Sequence, residues 1–177
     1  MMYLYTMSFS IHLPPGFSPQ SRVWIYQAIR PFTSEELQTA TETITAFAGN
    51  WQSHGEAVKG TGIVLPEGFI ILVADIAVTG VSGCSTDSSV RVIKELDNRF
   101  NAGLFDRQVL AFMVNDEVVR IPMQDLPSAI ATQQVNGNTL YFNNMVQTLD
   151  ELSRGWPVPA GQSWLSKKFA ASGTPVG

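Results

Sequence analysis

Hydrophobic and polar positions run along the chain in blocks whose period changes several times, and the changes predict the elements. Arg22 to Ile29, "RVWIYQAI", is rich in β-branched and aromatic residues and reads as a strand ended by Pro31. Thr33-Ser34-Glu35-Glu36 is a capping box, with Phe32 placed to staple onto Leu37. Behind it Leu37, Thr41, Ile44, Phe47, Ala48 and Trp51 recur at helical spacing. Two runs follow, Ala57 to Leu65 and Phe69 to Val78, with turn chemistry at Pro66-Glu67-Gly68 between them. The second, "FIILVADIAV", is almost wholly apolar, as a strand buried on both faces requires.

A second helix begins near residue 85, with Val90, Ile93, Leu96 and Phe100 on its apolar face and Arg91, Lys94, Glu95 and Asp97 outside. "QVLAFMV" and "EVVRIP" flank Asn115-Asp116, a two-residue hairpin turn. Pro122 to Gln134 predicts a short third helix, "TLYF" one more short strand, and Thr148-Leu149-Asp150-Glu151 a capping box that starts a last helix. The order is β-α-β-β-α-β-β, then α, β, α. Its first six elements match the split βαβ order of a ferredoxin-like sandwich. The expectation is therefore an α+β fold: a ferredoxin-like βαββαβ sandwich with an extra hairpin strand, C-terminal helices and a C-terminal arm. Residues 1–21 read as an irregular extension, 22–169 as a single α+β domain and 170–177 as a disordered tail.

Composition narrows the function classes. The chain has 177 residues, 45% of them hydrophobic, which is enough for a sizeable core. A formal charge of −4, with no basic stripe, argues against a nucleic-acid partner held by phosphate contacts. One cysteine cannot form an internal disulfide and fits a reducing cytoplasm. No Lys or Arg precedes Arg22, and His12, Pro14 and Pro15 interrupt the N-terminal apolar stretch, so it does not read as a secretory signal. No apolar run is long enough for a membrane span.

The segment that concentrates chemistry is residues 80–90, "GVSGCSTDSSV". A buried strand passes through Gly80 and Gly83 into a helix start, whose free N–H groups carry partial positive charge. Three readings stand side by side. In the first, Ser85 or Thr86 is the N-cap, Asp87 complements the dipole in the first turn and Cys84 is a small buried hydrophobe. In the second, Ser82, Gly83, Ser85, Thr86, Asp87, Ser88 and Ser89 form a binding site for a polar or anionic ligand, with Asp87 opposing a phosphate. In the third, Cys84 is a catalytic nucleophile or redox thiol activated by the helix end, although no resolving cysteine or adjacent histidine accompanies it.

His54 lies in a polar turn; it serves as a turn residue or, if the fold brings it to Cys84, as a catalytic partner. Asn143 and Asn144 follow a short strand and either hydrogen-bond a turn or orient a ligand. Trp24, Trp51, Trp156 and Trp164 read as core or arm-packing residues, and Arg22 and Arg30 as solvated strand ends. Cys84, His54, His12, Asp75 and Asp87 have no zinc or iron spacing, so no metal and no cofactor is implied. The leading expectation is a polar-ligand or protein-partner binding domain. A Cys84-dependent enzyme and a structural subunit of a complex, including a homo-oligomer, are its alternatives.

"RVWIYQ", Trp51 to Gly55, "SGCSTDSSVRVIKELDNRF", "LFDR", "FNN" and "WPVPAGQSW" together resemble a family of short bacterial proteins often labelled "ABC transporter ATPase". The likeness covers roughly Arg22 to Phe169. That family has no established activity, so the resemblance implies none here. The label itself calls for G-x-x-x-x-G-K-[ST] to cradle phosphates, and no run in the chain fits it. Lys59-Gly60-Thr61-Gly62 lacks the Gly-Lys-Ser/Thr end, which excludes ATP hydrolysis by the P-loop mechanism.

Overall fold

The computed structural model describes residue 11, residues 15–75 and residues 83–170, the side chains of residues 83–85 excepted. His12, Ser82 and most of the expected tail and N-terminal extension lie outside these residues. The chain divides into two compact units. One comprises the described residues up to Phe105 with Met145–Ser153; the other comprises Asp106–Asn144 with the described residues from Arg154.

In the first unit, β1 (Arg22–Gln27), β4 (Gly60–Leu65) and β5 (Phe69–Ala74) form an antiparallel sheet in the order β1-β5-β4. Every residue of β5 is fully buried, so the central place in the sheet goes to the run with no polar side chain. Each such burial contributes about 1.5–3 kcal/mol for a Val, Ile, Leu or Phe. Between β1 and β4 lie α1 (Ser34–Gly49) and a small hairpin, β2 (Gln52–Ser53) with β3 (Glu56–Ala57). The expected strand from Ala57 to Leu65 is thus interrupted at Val58-Lys59.

The Thr33 capping box forms: Thr33 Oγ1 accepts from Glu36 N at 3.2 Å, and Glu36 Oε2 accepts from Thr33 N at 2.9 Å. Ala40 and Ile44 of α1 are buried in one cluster with Ile70, Leu72 and Ala74 of β5 and with Val92, Ile93, Leu96 and Phe100 of α2 (Gly83–Phe100). Gly62 lets α1 pack close to the sheet, because a Cβ there would run into Ile44 Cγ2.

A ferredoxin-like sandwich needs a fourth strand beside β1. The expected one, β6 (Val109–Val114), lies instead in a separate sheet of the second unit, in the order β7-β6-β8-β9. It pairs with β7 (Glu117–Pro122) on one side and β8 (Leu140–Tyr141) on the other, so neither edge is open to β1. The outer edge of β1 is met by the returning chain: Val23 N donates to Gln147 O at 2.9 Å, and Arg22 bridges Thr148. The fold is mixed helix and sheet, with the strands divided among separate sheets.

The expected helix from Pro122 to Gln134 is shorter. A 3₁₀ turn at Met123–Asp125 precedes α3 (Leu126–Ala131), which carries proline within its first turn, where the missing N–H costs nothing. The Thr148 capping box also forms and starts α4 (Leu149–Gly155), with Glu151 N donating to Thr148 Oγ1 at 3.2 Å and Thr148 N to Glu151 Oε2 at 3.3 Å. β9 (Val158–Pro159) then adds to the second sheet, and α5 (Ser166–Ala170) follows. Leu165 and Phe169 are fully buried in a cluster with Leu110, Phe112, Leu126 and Ile130.

Candidate functional site

Helix α2 begins at Gly83, earlier than the hydroxyl pattern suggests. Ser85 and Thr86 are therefore helical residues rather than N-caps, and Asp87 lies beyond the first turn. Its charge is set back from the helix end it was expected to complement. Thr86 and Ser88 are half-buried and Asp87 is exposed. Ser89 is different: it is fully buried, and its Oγ donates to Thr86 O at 2.7 Å. That bond folds the hydroxyl back on its own helix and withdraws it from any ligand. Ser82 and the side chains of Cys84 and Ser85 lie outside the described residues.

His54 is exposed at the tip of the β2–β3 hairpin, with φ +51° followed by Gly55 at +83°. Two successive positive φ values are what a tight two-residue hairpin turn demands. Asn143 and Asn144 belong to the second unit, whereas His54 and the start of α2 belong to the first. Asn144 plays a structural part, because its Oδ1 accepts from Trp156 Nε1 at 2.9 Å, and Trp156 is 3% exposed. A buried indole N–H without a partner would cost about 1–3 kcal/mol. Trp156 also packs edge-on against Phe142 at 5.0 Å. Trp51 is a core residue as expected, against Phe47 at 4.9 Å and Trp24 at 5.7 Å. Trp164 is half exposed, and its Nε1 donates to the Tyr141 hydroxyl at 3.2 Å. Burial pushes the Tyr141 phenol up, and the Trp164 bond opposes this.

A second polar cluster sits at the end of β5. Asp75 is 4% exposed and follows six fully buried apolar residues. Its Oδ2 lies 3.5 Å from Lys59 Nζ and accepts from Ser18 N at 3.4 Å. Lys59 precedes β4, and Asp75 N donates to Lys59 O at 2.8 Å, which extends the β4–β5 pairing by one step. Lys59 Nζ also donates to Gly16 O and lies 5.0 Å from the centre of the Phe17 ring. Nearby in the chain, Ser21 is fully buried, and its hydroxyl has no hydrogen-bond partner among the described residues. By spacing alone Asp75 reads only as a poorly placed metal ligand. The stronger signal is a lone carboxylate inside an otherwise apolar run, which must find a partner when buried.

Among the described residues no group of three His, Cys, Asp or Glu side chains is placed to hold a metal ion. No described helix is long and apolar enough to cross a membrane. Comparison with protein-family models, with curated proteins and with solved structures gave no significant match.

Proposed function

We propose that this protein is a binding module. It takes a small polar or anionic ligand, or a polar segment of a protein partner, where β5 hands over to α2. The observation that carries the reading is the partial exposure of Thr86 and Ser88 in the first two turns of an 18-residue helix that follows a fully buried strand. Such a helix end offers unpaired N–H groups and partial positive charge, and the hydroxyls add donors beside them. The ligand groups would come from Gly83, Ser85, Thr86 and Ser88, with Ser82 next to them in the chain. Ser89 is not among them.

Within this reading, β1, β5 and β4 with α1 and α2 form the ferredoxin-like part of the fold, and Gln147-Thr148 stands where a fourth strand would pair. A reducing cytoplasm belongs to the same reading, supported by a cysteine count that allows no internal disulfide. Kinship with the family labelled "ABC transporter ATPase" belongs to the same reading, without the ATPase chemistry.

Calorimetric titration of the full chain with inorganic phosphate tests it. Asp87 is exposed and carries the charge that opposes an anion at the helix end. Asp87→Asn is therefore expected to tighten phosphate binding by about two- to fivefold, as a helix-end charge worth about 0.3–1 kcal/mol implies. Ser85→Ala with Ser88→Ala is expected to weaken it while lowering the melting temperature only as far as lost hydrogen bonds require. Phosphate binding indifferent to all three changes would contradict the proposal.

A further inference from the structure

The outer edges of the two sheets differ in how they are closed. Asp75 N donates to Lys59 O at 2.8 Å, which fixes the alternation along β4. Thr61, Ile63 and Leu65 direct their N–H and C=O groups at β5, and Gly60, Gly62 and Val64 direct theirs outward. Among the described residues nothing pairs with those outward groups. The other outer edges are guarded. Gln147 and Thr148 meet β1, as above. On β7 the alternation is set by Met123 N donating to Gln108 O at 2.7 Å, and it turns Val118, Arg120 and Pro122 outward. A charge and a proline without an N–H discourage pairing there. β9 has two residues and ends in Pro159. β4, by contrast, carries no charge, no proline and no bulge, and its six residues are half-buried. An edge of that kind is a template for another strand.

Bonds already made set the limits of the free stretch. Val58 N donates outward to Trp51 O at 2.9 Å, so the edge just before Gly60 is taken. At the far end Pro66 has no N–H, and its carbonyl accepts from Phe32 N at 3.1 Å. A second β4, antiparallel and related by a two-fold axis, meets both limits in one register. With the axis at Ile63, Gly62 of each copy opposes Val64 of the other, and both residues give and take a backbone hydrogen bond. An axis at Gly62 would drive Pro66 of one copy into the place where Trp51 pairs with Val58 of the other. An axis at Val64 would set Pro66 opposite Gly62 and lose its donor. The side chains suit the same register. Gly62 faces Ile44 of α1 with no side chain of its own, so Val64 of the other copy has room beside it. On the opposite face Ile63 meets Ile63 and Thr61 meets Leu65, so no like charges are opposed.

We propose that the outer edge of β4 is a self-association edge, occupied by β4 of a second copy of this chain in antiparallel register across a two-fold axis at Ile63. The three-stranded sheets of the two copies then continue into one another. A second copy is the occupant because the free edge, with its two blocked ends, is complementary to itself. The inference goes beyond the reading of the helix start and uses none of its residues.

Sedimentation and cross-linking of the full chain test it. The unaltered chain is expected to sediment as a dimer that dissociates on dilution. Ile63→Lys places like charges at the axis and is expected to weaken the dimer by about tenfold or more, with the circular dichroism spectrum unchanged. Mixing Ile63→Lys with Ile63→Glu is expected to restore association. Cross-linking reads the register without adding charge. In a Cys84→Ala background, Ile63→Cys puts two thiols at a non-hydrogen-bonded pair about 4.5 Å apart at Cα, within disulfide reach. With oxidised glutathione it is expected to link into a covalent dimer. Thr61→Cys, whose counterpart lies about four residues further along the strand, is expected not to. A monomer at every concentration overturns the proposal. So does a dimer that Ile63→Lys leaves intact, or one that links through Thr61→Cys as readily as through Ile63→Cys.

Discussion

Arg30 grips Glu36 with both arms of its guanidinium, Nη1 to Oε2 at 2.7 Å and Nη2 to Oε1 at 2.8 Å. The same Nη2 donates to Phe100 O at 2.8 Å. One side chain therefore joins the capping box of α1 to the last residue of α2. Glu36 Oε2 in turn accepts from Thr33 N, so cap and ion pair share one carboxylate. Arg30 is a fastener for the two helices rather than a solvated strand end.

This arrangement gives the stability a defined pH dependence. The Arg30 hydrogen bond, with the Thr33 backbone bond and the Arg30 charge, lowers the Glu36 carboxyl from an ordinary 4.5 to about 2, against the opposing effect of burial. The folded value lies below the unfolded one. Ionised Glu36 therefore contributes stability that is complete above about 4.5 and is lost as pH falls through about 2. Arg30 is 39% exposed, so solvent screening holds the contribution to about 1 kcal/mol. Urea midpoints between pH 6 and pH 2.5 are expected to fall more for the unaltered chain than for Glu36→Gln. Parallel pH profiles for the two would refute this.

Gly62 and Ile44 meet where α1 packs on the sheet with no room for a side chain on the glycine. Gly62→Ala forces the added methyl against Ile44 Cγ2, with Leu72 Cδ2 at 3.2 Å. Ile44 and Leu72 are both buried and cannot swing away, so the change is expected to destabilise by about 1–3 kcal/mol. Ile44→Ala on its own leaves a cavity. In the double variant the methyl enters that space, so the combined loss is expected to be less than the sum of the two. Additive losses in a denaturant cycle would place the clash elsewhere.

Asn144 is expected to matter for folding of the second unit, not for ligand binding. Asn144→Leu leaves the Trp156 indole N–H buried without its partner and costs about 1–3 kcal/mol. The Trp156 indole proton resonance moves upfield, and phosphate affinity changes by less than about twofold, well under the effect of one hydrogen bond. A loss of phosphate binding at unchanged stability would restore Asn144 to the ligand site.

Cys84 separates binding from thiol chemistry. If the segment works as a binding site, Cys84→Ala leaves phosphate affinity within about twofold, a small fraction of a hydrogen bond's worth. An alkylation titration that places the thiol far below the unperturbed value of about 8.5 would instead favour the nucleophile.

What the hydrophobic pattern discloses is local. Both capping boxes lie within four residues and form as their sequences imply, and the unbroken apolar run of β5 implies burial on both faces. What it misses depends on partners far along the chain. β6 reads equally well in either sheet; "TLYF" marks β8 as a strand, but nothing local says that it pairs with β6. The β2–β3 hairpin escapes the pattern because its turn uses a histidine at positive φ in place of the usual Asn-Gly. Asp75 meets Lys59 across 16 residues and Ser18 across 57, separations no local period encodes. The pattern sets the start of α2 too late because hydroxyl residues that favour caps also occupy its first turns.

That the passage from β5 into α2 is where this protein binds is tested most directly by recording amide resonances of the isotopically labelled full chain during a phosphate titration. Binding there predicts saturable shifts concentrated at the backbone amides of Gly83 to Thr86 and enlarged in Asp87→Asn. Shifts confined to surface lysines and arginines, with those four amides unmoved, would contradict it.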